Sequence, residues 1–65
     1  MHSFGNNLKI YRLEKKLTQK QLGELVGFSA RTVSDWEANN TQPDINTIKK
    51  IVKILNITFD ELFDF

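Results

Sequence analysis

The chain has no cysteine, a single histidine and no glycine-rich phosphate loop, and its charges nearly cancel. Without cysteine it has neither disulfides nor thiolate metal sites. The histidine, His2, stands near the N-terminus with no acidic neighbour and cannot assemble a catalytic set. No apolar run is long enough to cross a bilayer, and no signal peptide is recognisable. We therefore expect a cytoplasmic protein that is not an enzyme, uses no cofactor and has no membrane partner.

Length and charge set further limits. With 65 residues, of which 40% are hydrophobic and 26% charged, the sequence predicts one domain over residues 1–65. Such a short chain buries only about 60% of its unfolded surface, so a binding partner would add usefully to its stability. The net charge is +1; residues 1–37 carry six basic and four acidic side chains, and residues 38–65 carry three and four. The basic excess lies in the first part of the chain.

The run from Leu17 to Glu37 predicts two short helices joined by a tight turn. Thr18 and Gln21 form a capping box that starts a helix near residue 19, and Gly27 ends it. Ser29 caps the next helix. Two helices joined by a short turn that contains glycine make a helix-turn-helix motif, whose second helix usually reads the major groove of DNA. The apolar residues at helical spacing, which we expect to be buried, are Leu22, Leu25, Val26, Val33 and Trp36, and Gly23 should allow close approach of another backbone.

Three further helices complete an all-α prediction. The first runs from Phe4 to about Lys15. Asp44 caps a fourth helix, and Thr58 with Glu61 forms a second capping box that opens a short fifth helix. Their apolar residues at helical spacing are Phe4, Leu8 and Tyr11 in the first helix, Ile45, Ile48, Ile51, Val52 and Leu55 in the fourth, and Leu62 and Phe63 in the fifth.

This ordered set of motifs resembles the Cro and phage-repressor type of helix-turn-helix regulators, also called XRE-like or lambda-repressor-like. The resemblance covers residues 4–63 and rests on the first-helix residues 8–12, LTQKQLGELVG, FSARTVSDWE, the Pro-Asp-Ile at 43–45 and ITFDELF. It implies a compact five-helix domain with the helix-turn-helix in helices 2 and 3, and a transcriptional regulator, expected to be a repressor, that binds double-stranded DNA sequence-specifically. The family often has glycine where Lys16 and Asn39 stand. Asparagine tolerates the left-handed backbone conformation that glycine adopts at such a position. Lysine does so less readily, so the sequence does not define the residue at which the first helix ends.

Four residues of the third helix should face the bases. Burial of Val33 and Trp36 turns outward Ala30, Arg31, Ser34 and Asp35, and the resemblance maps the family's base contacts onto Ala30, Arg31 and Asp35. The planar fork of Arg31 can bond O6 and N7 of one guanine, and Ala30 can meet a thymine methyl. Asp35 either accepts from a cytosine amino group or pairs with Arg31 and holds it in place; we favour the pair. The alternative for Arg31 is a solvated surface charge.

Phosphate contacts are expected from the helix starts and the loop that follows the third helix. The residue matching the family's phosphate-binding glutamine is Gln19. Ser29, Thr32 and Asn40 resemble other backbone-contacting positions, and Lys20 is a plausible addition. Ser29 is also a helix cap, and Asn40 has the alternative of a plain helix C-terminus.

Two structural expectations also come from the resemblance. Glu37 should pair with Arg12 and tie the third helix to the first. Dimerisation is expected at the corner between the fourth and fifth helices, near Asn56, Phe59 and Glu61, although Phe59 could equally be an intramolecular staple. A two-fold dimer would set its recognition helices about 34 Å apart and require an inverted repeat.

Ile10 and Leu13 lie on a first-helix face that is usually polar in this family. The N-terminal residues, the last helix with Phe65, or another protein could cover them. The alternative function is therefore a protein-interaction module of the same fold that binds a regulatory partner protein.

Overall fold

The computed structural model describes residues 3–64, which form five α-helices. They are α1 (Phe4–Glu14), α2 (Gln19–Val26), α3 (Ala30–Glu37), α4 (Ile45–Leu55) and α5 (Phe59–Leu62). This part of the chain contains no strand, so the all-α prediction is confirmed. None of these helices has the length and apolar character needed to traverse a bilayer. The expectations for His2 and Phe65 fall outside the described residues.

Every helix begins at a hydroxyl or carboxylate cap. The caps at Thr18, Ser29, Asp44 and Thr58 each accept a hydrogen bond from the backbone N–H three residues on, as predicted. Both predicted capping boxes are complete. Ser3 caps α1 in the same way, which the sequence analysis did not foresee. Because each cap satisfies one of the free N–H groups of a first turn, these side chains fix where the helices start.

Left-handed residues mark the helix ends. Gly27 ends α2 with a φ of 89°. The helix α1 stops at Glu14, one residue earlier than predicted, and Lys16 then takes a φ of 58° where a glycine is usual in the family. Asn39 and Asn56 adopt φ values of 61° and 56° after α3 and α4. Asparagine accommodates this conformation readily, whereas for lysine it costs roughly 1–2 kcal/mol.

A single apolar core lies between the helices. Its buried hydrophobic residues are Phe4, Leu8, Leu22, Val26, Val33, Trp36, Ile48, Ile51, Val52, Leu55 and Leu62. Tyr11, Leu17, Ile54 and Ile57 pack against this cluster from its edge. Nearly all of the predicted inward residues are therefore in place.

Three of the apolar residues placed at helical spacing are exposed instead. Leu25 is 56% exposed because the buried residues of α2 are Leu22, Gly23 and Val26. The buried face is therefore rotated around the helix axis, away from Leu25. A Cβ on Gly23 would overlap the Phe28 carbonyl, so the turn covers this side of α2 and rotates Leu25 away from the core. Ile45 is 58% exposed because it is the first residue of α4, whose buried positions begin at residue 47. The third, Phe63, was predicted in the fifth helix but follows its end at Leu62 and is 38% exposed. Its ring packs against Phe4 at 5.3 Å between centroids, with the ring planes tilted by 37°.

One buried amide fastens the two ends of the described chain. The side chain of Asn7 in α1 donates to the Leu62 carbonyl at 3.0 Å and to the Asp64 carbonyl at 3.1 Å. Since the first carbonyl belongs to the last residue of α5 and the second lies two residues beyond it, this side chain holds the last helix against the first. The helix-turn-helix is thus carried on a closed bundle.

Candidate nucleic-acid interface

A buried ion pair fixes the back of α3. Arg12 in α1 donates from Nε to Glu37 Oε2 at 2.6 Å and from Nη2 to Glu37 Oε1 at 3.1 Å. Its Nη1 also donates to the Leu17 carbonyl at 2.7 Å. The two side chains are only 7% and 5% exposed. A paired, two-bond geometry in the interior sets the position of α3 relative to α1 and to the residue that leads into α2.

Gln19, at the first position of α2, joins the same network. Its Nε2 donates to Glu37 Oε1 at 3.0 Å, and its side chain is half-buried. An amide nitrogen carries two hydrogens, so one remains for an acceptor outside the protein. The family resemblance implies the pair of Glu37 with Arg12, but it did not indicate Gln19 as a second partner. Glu37 therefore holds the start of α2 as well as α1.

The first turn of α3 carries a pair of bonded hydroxyls. Ser29 Oγ accepts from the Thr32 backbone N–H at 3.1 Å and lies 3.1 Å from Thr32 Oγ1. Ser29 is exposed and Thr32 half-buried, with Ala30 between them also partly exposed. Both hydroxyls are held in fixed positions at the edge of the helix. The turn before them is closed by Phe28, whose ring meets Trp36 edge-on at 5.1 Å between centroids.

Arg31 and Asp35 lie one helical turn apart on the outer face of α3. Arg31 Nε is 3.7 Å from Asp35 Oδ1, and the side chains are 86% and 32% exposed. A surface pair of this kind contributes only about 0.3–0.5 kcal/mol. The Arg31 fork therefore has a carboxylate beside it that restrains its direction while leaving most of its surface open to solvent.

The remaining predicted contacts lie around these helices. Lys20 is exposed on α2, and Ser34 is half-buried on α3. Asn40 is exposed in the loop after α3, where its backbone N–H donates to the Asp35 carbonyl at 2.9 Å. Gln19 and Ser34 line one cleft, although they come from different helices. Lys20 and Asn40 are not among the residues that line this cleft.

Asn39 has a structural role that was not predicted from the sequence. Its Oδ1 accepts from the Gly5 backbone N–H at 2.9 Å, and its Nδ2 donates to Ser3 Oγ at 3.0 Å. The left-handed backbone of Asn39 turns its amide onto the start of α1. The only sequence feature that pointed to this role was an asparagine at a position where glycine is common in the family.

The predicted dimer corner is exposed and acidic. Phe59 is 40% exposed, and Asn56 ends α4. Glu61 is engaged locally, because its Oε1 accepts from the Thr58 backbone N–H at 2.9 Å. Burial, and then the carboxylates of Glu61, Glu14 and Asp64, raise the pKa of Tyr11 beside this corner. The surface here thus combines an uncovered aromatic ring with negative charge.

Known proteins match the chain over nearly its whole length. The helix-turn-helix family model matches residues 8–62. The chain is 37% identical over 59 residues to the HTH-type transcriptional activator BcrR of Enterococcus faecalis. The aligned region covers 91% of this chain and 29% of BcrR. It is 40% identical over 63 residues to the HTH-type transcriptional repressor RghR of Bacillus subtilis, covering 95% of this chain and 47% of RghR. The chain thus spans less than half the length of either curated relative.

A solved structure also matches this chain. The P22 c2 repressor protein, crystallised in complex with a synthetic operator, superimposes with a TM-score of 0.89 at 28% sequence identity. The match covers 97% of this chain and 96% of that one.

Proposed function

This chain belongs to the helix-turn-helix family of transcriptional regulators, and on that premise we propose that it is a sequence-specific repressor that binds DNA as a homodimer. The family consists of DNA-binding proteins that are not enzymes. The main support for sequence-specific DNA binding is the outer face of α3. There a highly exposed arginine stands beside a carboxylate, while the opposite face is locked by Trp36 and the buried ion pair of Glu37.

The base-reading set is Arg31, Asp35, Ala30 and Ser34. Arg31 bonds O6 and N7 of a guanine in the major groove, a contact worth roughly 1–3 kcal/mol of discrimination. Asp35 holds the Arg31 fork in direction; the 3.7 Å separation between Arg31 Nε and Asp35 Oδ1 supports this role. Ala30, partly exposed beside them, meets a thymine methyl.

The phosphate-binding set is Gln19, Lys20, Ser29, Thr32 and Asn40. Gln19 is the best supported of these because Glu37 already fixes its amide, so little side-chain entropy is lost when its second hydrogen meets a phosphate. Ser29 and Thr32 present fixed hydroxyls at the first turn of α3. These contacts set the register of the protein on the duplex.

We assign the functional form as a two-fold dimer that contacts itself near Asn56, Phe59 and Glu61. The low net charge of +1 supports a dimer, because one protomer neutralises few phosphates and binds weakly alone. The exposed ring of Phe59 supplies an apolar anchor. The operator is then an inverted repeat with half-site centres about 34 Å apart.

The names of the matched proteins support repression over activation. The P22 c2 protein, which superimposes on this chain with a TM-score of 0.89, is a repressor, although BcrR is an activator. RghR, the relative with the higher identity of the two, is also named a repressor. We also propose a cytoplasmic location, which a DNA target supports.

The salt dependence of duplex binding tests this proposal. We expect the affinity for a duplex recovered by selection from a random pool to fall steeply as salt rises, with a log–log slope of about −0.9 per neutralised phosphate. A single strand of the same sequence is the control, because it has no major groove and should bind more weakly. Absence of duplex binding would contradict the proposal and favour an interaction module, whose partner would sit on Ile10 and Leu13, 47% and 53% exposed.

A further inference from the structure

A polar cleft opens between three helices beside the helix-turn-helix. Its volume is about 230 Å³, and its lining residues are Asn6, Lys9, Gln19, Ser34, Glu37 and Ala38. One water occupies about 30 Å³, so the cleft has room for a phosphate group and its hydration. Two of its walls come from residues to which we assign DNA contacts. The third wall belongs to α1, which lies outside the helix-turn-helix.

The position of Lys9 on α1 follows from its neighbours. Gly5, Lys9 and Arg12 are spaced by four and three residues and share one face of the helix. A Cβ on Gly5 would overlap the Glu37 backbone carbonyl, and Arg12 bonds the Glu37 carboxylate. Lys9 therefore lies between two residues that contact the end of α3, on the side where the cleft opens.

The positive charge of Lys9 is not matched within the described protein. The carboxylate in the cleft, Glu37, already receives two bonds from Arg12 and one from Gln19. Within residues 3–64 the ion pairs closer than 4.0 Å are Arg12–Glu37 and Arg31–Asp35. The cleft thus joins an exposed ammonium group to an amide that still has one hydrogen to donate.

We propose that Lys9 binds a backbone phosphate of duplex DNA in this cleft, together with Gln19. The inference rests on the proposed function, since its ligand is the same duplex, but it extends the DNA interface onto α1. An ammonium group at this place contributes charge rather than sequence information. Lys9 therefore strengthens binding to all duplexes and leaves base preference unchanged.

The test compares the salt slopes of duplex binding for Lys9→Gln, Lys9→Arg and Lys49→Gln. Lys49 is exposed on α4 and does not line the cleft, so its variant removes the same charge elsewhere. Binding of a mixed-sequence duplex is followed by fluorescence anisotropy as salt is raised. We expect the slope of Lys9→Gln to fall by about 0.9 for each bound protomer, with Lys9→Arg and Lys49→Gln close to the wild type.

The possible outcomes distinguish the Lys9 contact from the proposed DNA-binding function on which it rests. Suppose that the wild type binds duplex. An unchanged salt slope in Lys9→Gln, or an equal decrease of the slope in Lys49→Gln, would then overturn the Lys9 assignment and leave the proposed function standing. Failure of the wild type to bind duplex at any salt would overturn both. Because Lys9 is exposed, thermal melting should show that all three variants fold.

Discussion

The outer face of α3 and the outer face of α5 have opposite chemistry. On α3 the most exposed side chain is a cation, Arg31, and the apolar residues Val33 and Trp36 are buried. On α5 the aromatic ring of Phe59 is exposed, and the chain from residue 54 to residue 64 carries three acidic side chains and no basic one. A polyanion is attracted to the first surface and repelled by the second. This difference in charge and exposure supports the proposal that DNA binds at α3 and a second protomer at α5.

The largest effect should come from breaking the support of the α3 face. Replacing Arg12 with alanine strands the buried Glu37 carboxylate, which costs about 3–5 kcal/mol. In a domain of this size that lowers the melting temperature by more than about 10 °C. Thermal unfolding followed by circular dichroism measures it, with exposed Lys15→Ala as control. A melting temperature within a degree or two of the wild type would show that the pair is not what holds α3.

Arg31→Ala tests the α3 face itself. We expect a loss of about 1–3 kcal/mol in operator affinity, which is roughly 5- to 150-fold, and relaxed preference at one base position. The melting temperature should not change, because the side chain is 86% exposed. Competition binding with operators that vary at each position measures both quantities. An unaltered base preference would reduce Arg31 to a solvated surface charge.

Phe59→Ala tests the α5 face. Loss of a central apolar anchor should weaken dimerisation by about 2 kcal/mol and shift the protein towards monomer in sedimentation experiments. Ile45→Ala is the matched control, since Ile45 is an even more exposed apolar residue at the opposite end of α4. If the two variants dimerise alike, or if the wild type stays monomeric both free and on DNA, the proposed dimer surface is wrong.

The smallest effect concerns acid stability in the C-terminal part. Hydrogen bonds from the backbone and side chain of Thr47 lower the pKa of Asp44 below its ordinary value. The ionised cap therefore stabilises the fold above the ordinary aspartate pKa, and this contribution disappears as the pH falls through the lowered pKa. Asp44→Asn keeps a cap without a charge that titrates. Melting curves across acidic pH should converge for the two proteins, and parallel curves would contradict the assignment.

Local patterns predicted most of the fold. The caps at Thr18, Ser29, Asp44 and Thr58 gave four helix starts because a cap acts within three residues of itself. Burial of Val33 and Trp36 followed from their spacing, whereas the same rule put Leu25 and Ile45 in the core. Periodicity gives a stripe, but only the packing of neighbouring elements decides where that stripe is centred and how far it extends.

Contacts between distant segments were not predictable in the same way. The bonds from Asn7 to the end of α5, and from Asn39 to Gly5, join residues 55, 57 and 34 positions apart. Nothing in the local sequence identifies such partners. The Gln19–Glu37 bond fixes the side chain of the proposed phosphate contact, and it depends on how α2 and α3 pack together.

Selection from a random duplex pool at near-physiological salt, with Arg31→Ala run in parallel, tests whether a dimer binds DNA sequence-specifically through α3. We expect the wild type to recover an inverted repeat with half-sites about one helical turn apart, and the variant to relax one base position in each half. Recovery of a single half-site would contradict the dimer. A pool without any enrichment would contradict sequence-specific DNA binding by α3.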